Sequence, residues 1–140
     1  MNRAFSVRAY GVLREEGRVL LTRSRFRGTV FVNFPGGGVE IGEAPMDALH
    51  REFFEETGLA IRAVRPLFVS EGAHLSTQAP LQIVSAYWLV ERAGGVLNEG
   101  GNGDDVTALF WADPARLPFD EMFPADREFG LRLPALLSGA

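Results

Sequence analysis

The sequence predicts an α/β domain, and three observations carry that reading. Runs rich in β-forming residues stand on both sides of one strong helical segment, Pro45 to Thr57. A second amphipathic segment, Asp126 to Leu137, comes near the end of the chain. No repeat, low-complexity tract or long linker divides the 140 residues, so residues 1–140 are expected to form one domain with its own core.

Taken in order, Ala4 to Leu13 reads as a strand in which Phe5, Val7 and Ala9 alternate with Ser6, Arg8 and Tyr10. Arg14 to Gly17 is a charged turn, and Val19 to Thr22 is the returning strand of a hairpin. Arg23 to Gly28 reads as a basic loop, and Thr29 to Phe34 as another β-like run ending at Pro35. Beyond the helix, Ile61 to Val69 reads as a strand interrupted at Pro66. Ser70 to Pro80 is a polar loop containing His74, to which no role is assigned. Leu81 to Val90 is the strongest strand signal, and its Tyr87 and Trp88 are expected in the core. A Gly-rich stretch follows, with a turn at Gly94–Gly95 and a mobile loop at Glu99 to Gly103. Val106 to Trp111 is a further strand, and Asp113 to Leu117 a turn or short helical segment. The last helix carries Pro134 near its end.

The central helix is the informative element. Pro45 suits the first helical position, where its missing N–H costs nothing, and Gly58 suits the left-handed position just past the end. Met46, Leu49 and Phe53 fall on one stripe with the spacing of a buried face. Glu52, Glu55 and Glu56 fall on another, with small Ala48 above them. Like charges at this spacing cost about 0.2–0.5 kcal/mol per pair. Glu40 to Glu56 carries six acids and one Arg, net −5, against −4 for the whole chain. An arbitrary acidic helix is best read as a solvated face. Acids stacked beside a Gly-rich turn instead suit a hard divalent cation, which takes oxygen ligands.

Gly37, five residues, Glu43, seven residues, and then Arg51-Glu52-Phe53-Phe54-Glu55-Glu56-Thr57-Gly58-Leu59 match the Nudix box at every defined position. The chain therefore resembles the Nudix hydrolase family. The resemblance implies a mixed β-sheet between helices, an α/β/α sandwich. It implies a hydrolase that cleaves a pyrophosphate in a nucleoside diphosphate linked to another group. It also implies Mg²⁺ or Mn²⁺ held by Glu52, Glu55 and Glu56, with a backbone carbonyl of Gly36–Gly37 as an extra ligand. Arg51 then reads as an ion-pair partner that orients a ligand carboxylate, one helical turn after Asp47 and one before Glu55. Glu43 is either a supporting residue or an alternative base. In parts of the family the general base is a Glu outside the box, near the strand matching Val106–Trp111. Here Glu99, Asp104 and Asp105 occupy that region, and Asp105 is the first choice because it immediately precedes the strand.

Arg23, Arg25 and Arg27 in the basic loop have two readings, a solvated turn or charge-assisted contacts to substrate phosphates. The substrate stays open between a nucleoside triphosphate, a nucleotide sugar and a coenzyme A-type molecule. A nucleotide sensor of the same fold without turnover is the alternative function, opposed by the intact acids. With no Cys there are no disulfides, thiol nucleophiles or Cys–zinc sites, and with no Lys there is no Walker-type phosphate loop. No apolar run approaches the ~20 residues that span a bilayer, and the N-terminus does not read as a signal peptide. A cytoplasmic protein acting on a small nucleotide is expected, with no membrane partner and no long nucleic acid, and with homodimerisation left open.

Overall fold

The computed structural model describes residues 4–138. Its first strand, β1 (Ala4–Glu15), joins both halves of the sheet. On one side β1 runs parallel to β7 (Leu81–Gly95), from Ala4 opposite Leu81 to Leu13 opposite Val90. On the other it runs antiparallel to the three glycines of β4 (Gly36–Gly38), with Tyr10 opposite Gly36. Its end, Arg14 and Glu15, turns back onto β2 (Arg18–Phe26). β2 in turn pairs with β3 (Thr29–Asn33) and β8 (Val106–Ala112). β5 (Leu59–Val69) and β6 (His74–Leu75) both pair with β7. The result is an eight-stranded mixed sheet.

Two helices, α1 (Pro45–Thr57) and α2 (Pro124–Ser138), cover opposite faces of this sheet. The alternation of β1 and β2 makes this visible. Ala9, Leu13 and Leu20 pack with Leu49 and Phe53 of α1. Tyr10, Val12, Val19 and Leu21 pack with Phe129 and Leu133 of α2. Each fully buried Leu or Phe contributes about 1.5–3 kcal/mol, so both layers are held by several such residues. On the α2 side, Phe129 stacks on Tyr87 at 3.9 Å and meets Phe34 edge-on at 5.2 Å. Tyr87 is core, as expected, and Trp88 packs against the α1 layer. The sandwich of a mixed sheet between helices is therefore observed.

Several boundaries differ from the sequence reading. The basic loop is mostly strand: Arg23 to Phe26 extend β2, and Arg27–Gly28 alone make the hairpin turn. Pairing of Arg23 to both β3 and β8, and of Arg25 to β3, recruits these arginines into the ladder despite their charge. Pro66 does not end β5, because β5 lies at the sheet edge and absorbs the missing N–H through register shifts. Gly94 and Gly95 are not a turn; β7 continues through them, opposite Ala60 and Leu59. Within the polar loop, His74–Leu75 form a two-residue strand. Pro134 lies inside α2, which runs on to Ser138.

Candidate active site

α1 starts and stops as its sequence dictates. Pro45 occupies the first turn, and the Ala44 N–H donates to Asp47 Oδ2 at 3.4 Å. Gly58 has φ 80° and ψ 0°, and its N–H donates to the Phe54 carbonyl at 2.9 Å. The buried Thr57 hydroxyl donates to Phe53 O at 2.7 Å and accepts from Leu59 N–H at 3.0 Å. The helix end is thus locked onto β5.

Because β4 is pinned to β1, its glycines lie against the acidic face of α1. The Gly36 N–H donates to Glu56 Oε1 at 3.0 Å. At Gly37 the Glu52 carboxylate occupies the space a side chain would need: a Cβ there would lie 2.8 Å from Glu52 Cδ. Arg51 gathers the rest of the box. Its guanidinium donates to both Glu43 oxygens at 2.7 and 2.9 Å and to Glu52 Oε1 at 2.9 Å. It also lies 3.5 Å from Glu55 Oε2 and donates to Gly38 O at 3.4 Å. Asp47, one turn earlier, serves the helix start instead.

The charges divide accordingly. Hydrogen bonds from Arg51 and from the Glu40 N–H hold the Glu43 carboxyl down at about 2. Burial pushes Glu52 up, opposed by Arg51 and reinforced by Glu55 and Asp105. Burial pushes Glu56 up to about 8; the Gly36 N–H and Arg8 oppose this, and Glu52 and Asp105 add to it. Glu56 is thus a deep carboxylate with two acidic neighbours in its field.

Glu52, Glu56 and Asp105 line one cleft of ≈ 370 Å³ together with Gly36 and Gly37. Asp105 immediately precedes β8, where its carbonyl accepts the Arg25 N–H at 2.8 Å and its Oδ1 accepts from Asn102 at 2.9 Å. Glu55 lies outside the cleft lining, with its side chain 55% exposed beside Arg51. Asp104 is exposed on the loop, and Glu99 borders a separate shallow depression with Glu15 and Arg92. Of the three arginines, Arg25 borders the cleft. Arg23 pairs with Glu121 at 3.3 Å, and Arg27 donates to Gln78 O at 2.9 Å.

The far end of the cleft has a different character. Phe26, Phe31, Phe123, Leu81 and Ile83 wall it, and Arg8, Tyr10 and Asp126 form its floor. The Tyr87 hydroxyl donates to Asp126 Oδ1 at 2.6 Å. Burial pushes the Asp126 carboxyl up to about 6, against the pull of Tyr87 and Arg8. Sequence reasoning did not single out Arg8, Asn33 or Asp126 as site residues. The one available signal was a charge within the alternating run of β1, and alternation does not say which face is the cleft.

The carboxylates fit a divalent cation by their chemistry. Glu52 and Glu56 supply hard oxygen donors with Asp105 in their field, and a cation would relieve the clustered charge that the Gly36 N–H and Arg8 only partly offset at Glu56. Among the described residues, no three acidic or imidazole side chains are already gathered into a metal-holding group.

A sequence model of the NUDIX domain matches residues 2–133. A MutT-like protein of Streptomyces ambofaciens is 31% identical over 130 residues, covering 92% of this chain and 74% of that protein. An 8-oxo-dGTP diphosphatase of Haemophilus influenzae is 31% identical over 135 residues, 89% of this chain and 88% of that one. The crystal structure of a MutT NUDIX hydrolase from Burkholderia pseudomallei superposes with a TM-score of 0.73 at 25% identity, covering 95% of this chain and 98% of that chain.

Proposed function

This chain belongs to the NUDIX domain family, and on that premise we propose that it hydrolyses the pyrophosphate bond of a small nucleotide at the Glu52–Glu56–Asp105 cleft. The observation that carries the reading is that Glu52 and Glu56 meet the Gly36–Gly37 backbone in a cleft that Asp105 also lines.

Glu52 and Glu56 would hold a Mg²⁺ or Mn²⁺ ion, with Glu55 as the outer carboxylate and a carbonyl of Gly36–Gly37 completing the oxygen set. Such an ion neutralises phosphate oxygens and lowers the pKa of an attacking water. Asp105 faces the same space from the opposite element and takes the water's proton. Glu43 is a weak base at neutral pH, because Arg51 holds it ionised. Its part is to fix Arg51, and through Arg51 to aim Glu52. Arg25, at the cleft border, meets phosphate oxygens. The aromatic end takes the nucleoside.

Similarity to the 8-oxo-dGTP diphosphatase of Haemophilus influenzae makes purine nucleoside triphosphates, oxidised ones included, the first class to test. The purified protein is assayed against nucleoside triphosphates, 8-oxo-dGTP, a nucleotide sugar and coenzyme A, with Mg²⁺ or Mn²⁺, reading monophosphate release. Turnover on one class, lost by orders of magnitude in Glu56→Gln, is the expected result. No turnover on the whole panel would leave a nucleotide-binding sensor as the better reading.

A further inference from the structure

Arg8 lies in the field of Glu52 and Glu56, yet the hydrolytic scheme gives it no contact with the substrate. It lies on β1 between Gly38 of β4 and Ser85 of β7, with its side chain on the floor of the cleft. Its Nε is shut off from solvent and has no hydrogen-bond partner. Among the described residues it makes no ion pair; its polar contact is with Tyr10, over whose ring its Cζ lies at 6.0 Å. Arg8 as a whole is half-buried, and guanidinium donors kept from water without a partner are costly, so its open part is where a partner can be taken. Held at the cleft floor, it is therefore expected to gain that partner from what the cleft binds.

Two features say what that partner is. The walls around this end are apolar and aromatic, which suits a flat ring and not a phosphate. Asp126 lies in the field of Arg8 and would repel an anion, while it could accept an N–H. A neutral group with a carbonyl next to an N–H satisfies both.

We propose that Arg8 reads a carbonyl oxygen on the nucleobase of the substrate, and so favours oxo-bases over bases that lack that oxygen. This deepens the nucleotide reading above and rests on it for the identity of the ligand. Other neutral acceptors, such as a ribose hydroxyl, and phosphate oxygens are the competing contacts.

The test is metal-free calorimetric binding of matched nucleoside monophosphates to the full chain. One pair is guanosine and 2-aminopurine riboside monophosphates; the other is uridine and 2-pyrimidinone riboside monophosphates. Wild type should bind the carbonyl-bearing member of at least one pair about 10–100-fold more tightly, the range of a charge-assisted hydrogen bond. In Arg8→Met that preference should shrink to within about threefold, the carbonyl-bearing member alone losing affinity. If the Met variant fails to fold, Arg8→Gln is read in the same way. Equal weakening of both members would mean a phosphate or sugar contact and would overturn the proposal. So would an unchanged preference in the variant, the absence of preference in wild type, or no detectable binding of any of the four. Failure of turnover on the substrate panel with this preference intact would strike the hydrolase reading and leave the Arg8 assignment standing.

Discussion

Replacing Gly37 with Ala tests the site at one atom. The new Cβ would lie 2.8 Å from Glu52 Cδ and Oε2 and 3.1 Å from Oε1. Ordinary contact is near 3.5 Å, so the carboxylate must retreat by roughly half an ångström or more. Gly37 has no positive φ, so Ala adds no backbone strain. The thermodynamic loss is confined to the Arg51–Glu52 contact at 2.9 Å, whose side chains are partly exposed. Such a contact is worth about 0.2–1 kcal/mol, or a few degrees at most in melting temperature. The functional loss should be larger. Displacing a ligand carboxylate by this amount should lower kcat/KM about 10–100-fold and raise the Mg²⁺ concentration giving half-maximal rate. The assay is kcat/KM against Mg²⁺ for wild type and Gly37→Ala, with thermal melts of both. A variant with wild-type kcat/KM at limiting Mg²⁺ would falsify the role given to Glu52. A fall in stability of several kcal/mol would instead make Gly37 a structural residue.

Gly58→Ala should destabilise by more than the roughly 1 kcal/mol of a left-handed residue alone, because its Cβ would also strike the Val96 carbonyl. Gly58→Asn should rescue little despite the tolerance of Asn for this conformation, and a wild-type melting temperature in either variant contradicts the packing argument. Asp105→Asn should lower kcat by roughly 10²–10⁴ with metal affinity little changed; an unchanged single-turnover rate dismisses it as the base. Asp126 has its carboxyl raised from 3.8 to about 6, so the folded state binds the proton more tightly than the unfolded chain. Stability from this group is therefore highest below about pH 4 and falls as pH rises to about 6, by about 3 kcal/mol in all. Asp126→Asn should accordingly raise the melting temperature at pH 7.5, with the gain fading toward pH 4. A gain of the same size at both pH values would point to packing and not to the charge.

What the sequence determined by itself was local chemistry. Pro45 and Gly58 mark the ends of α1 through backbone preferences that need no partner. Leu49 and Phe53 announce its buried stripe by their spacing, and Glu52 and Glu56 their common face. The position of Asp105 at the mouth of β8 was legible for the same reason. What only the tertiary structure decided was everything set by pairing across distance. Arg23 to Phe26 became strand because β3 bonds all four and β8 bonds Arg23 and Ser24 as well, and no local propensity encodes such neighbours. Glu55 resembles Glu52 and Glu56 in sequence, yet it stands outside the cleft beside Arg51, while β4 brings Gly36 and Gly37 to the other two. Arg8 and Asp126 are 118 positions apart, and only the stacking of α2 on the face of β1 makes them one floor. A sheet covered on both faces buries odd and even residues alike. Alternation along β1 therefore revealed a strand but could not say which face would hold a helix and which would open into the cleft.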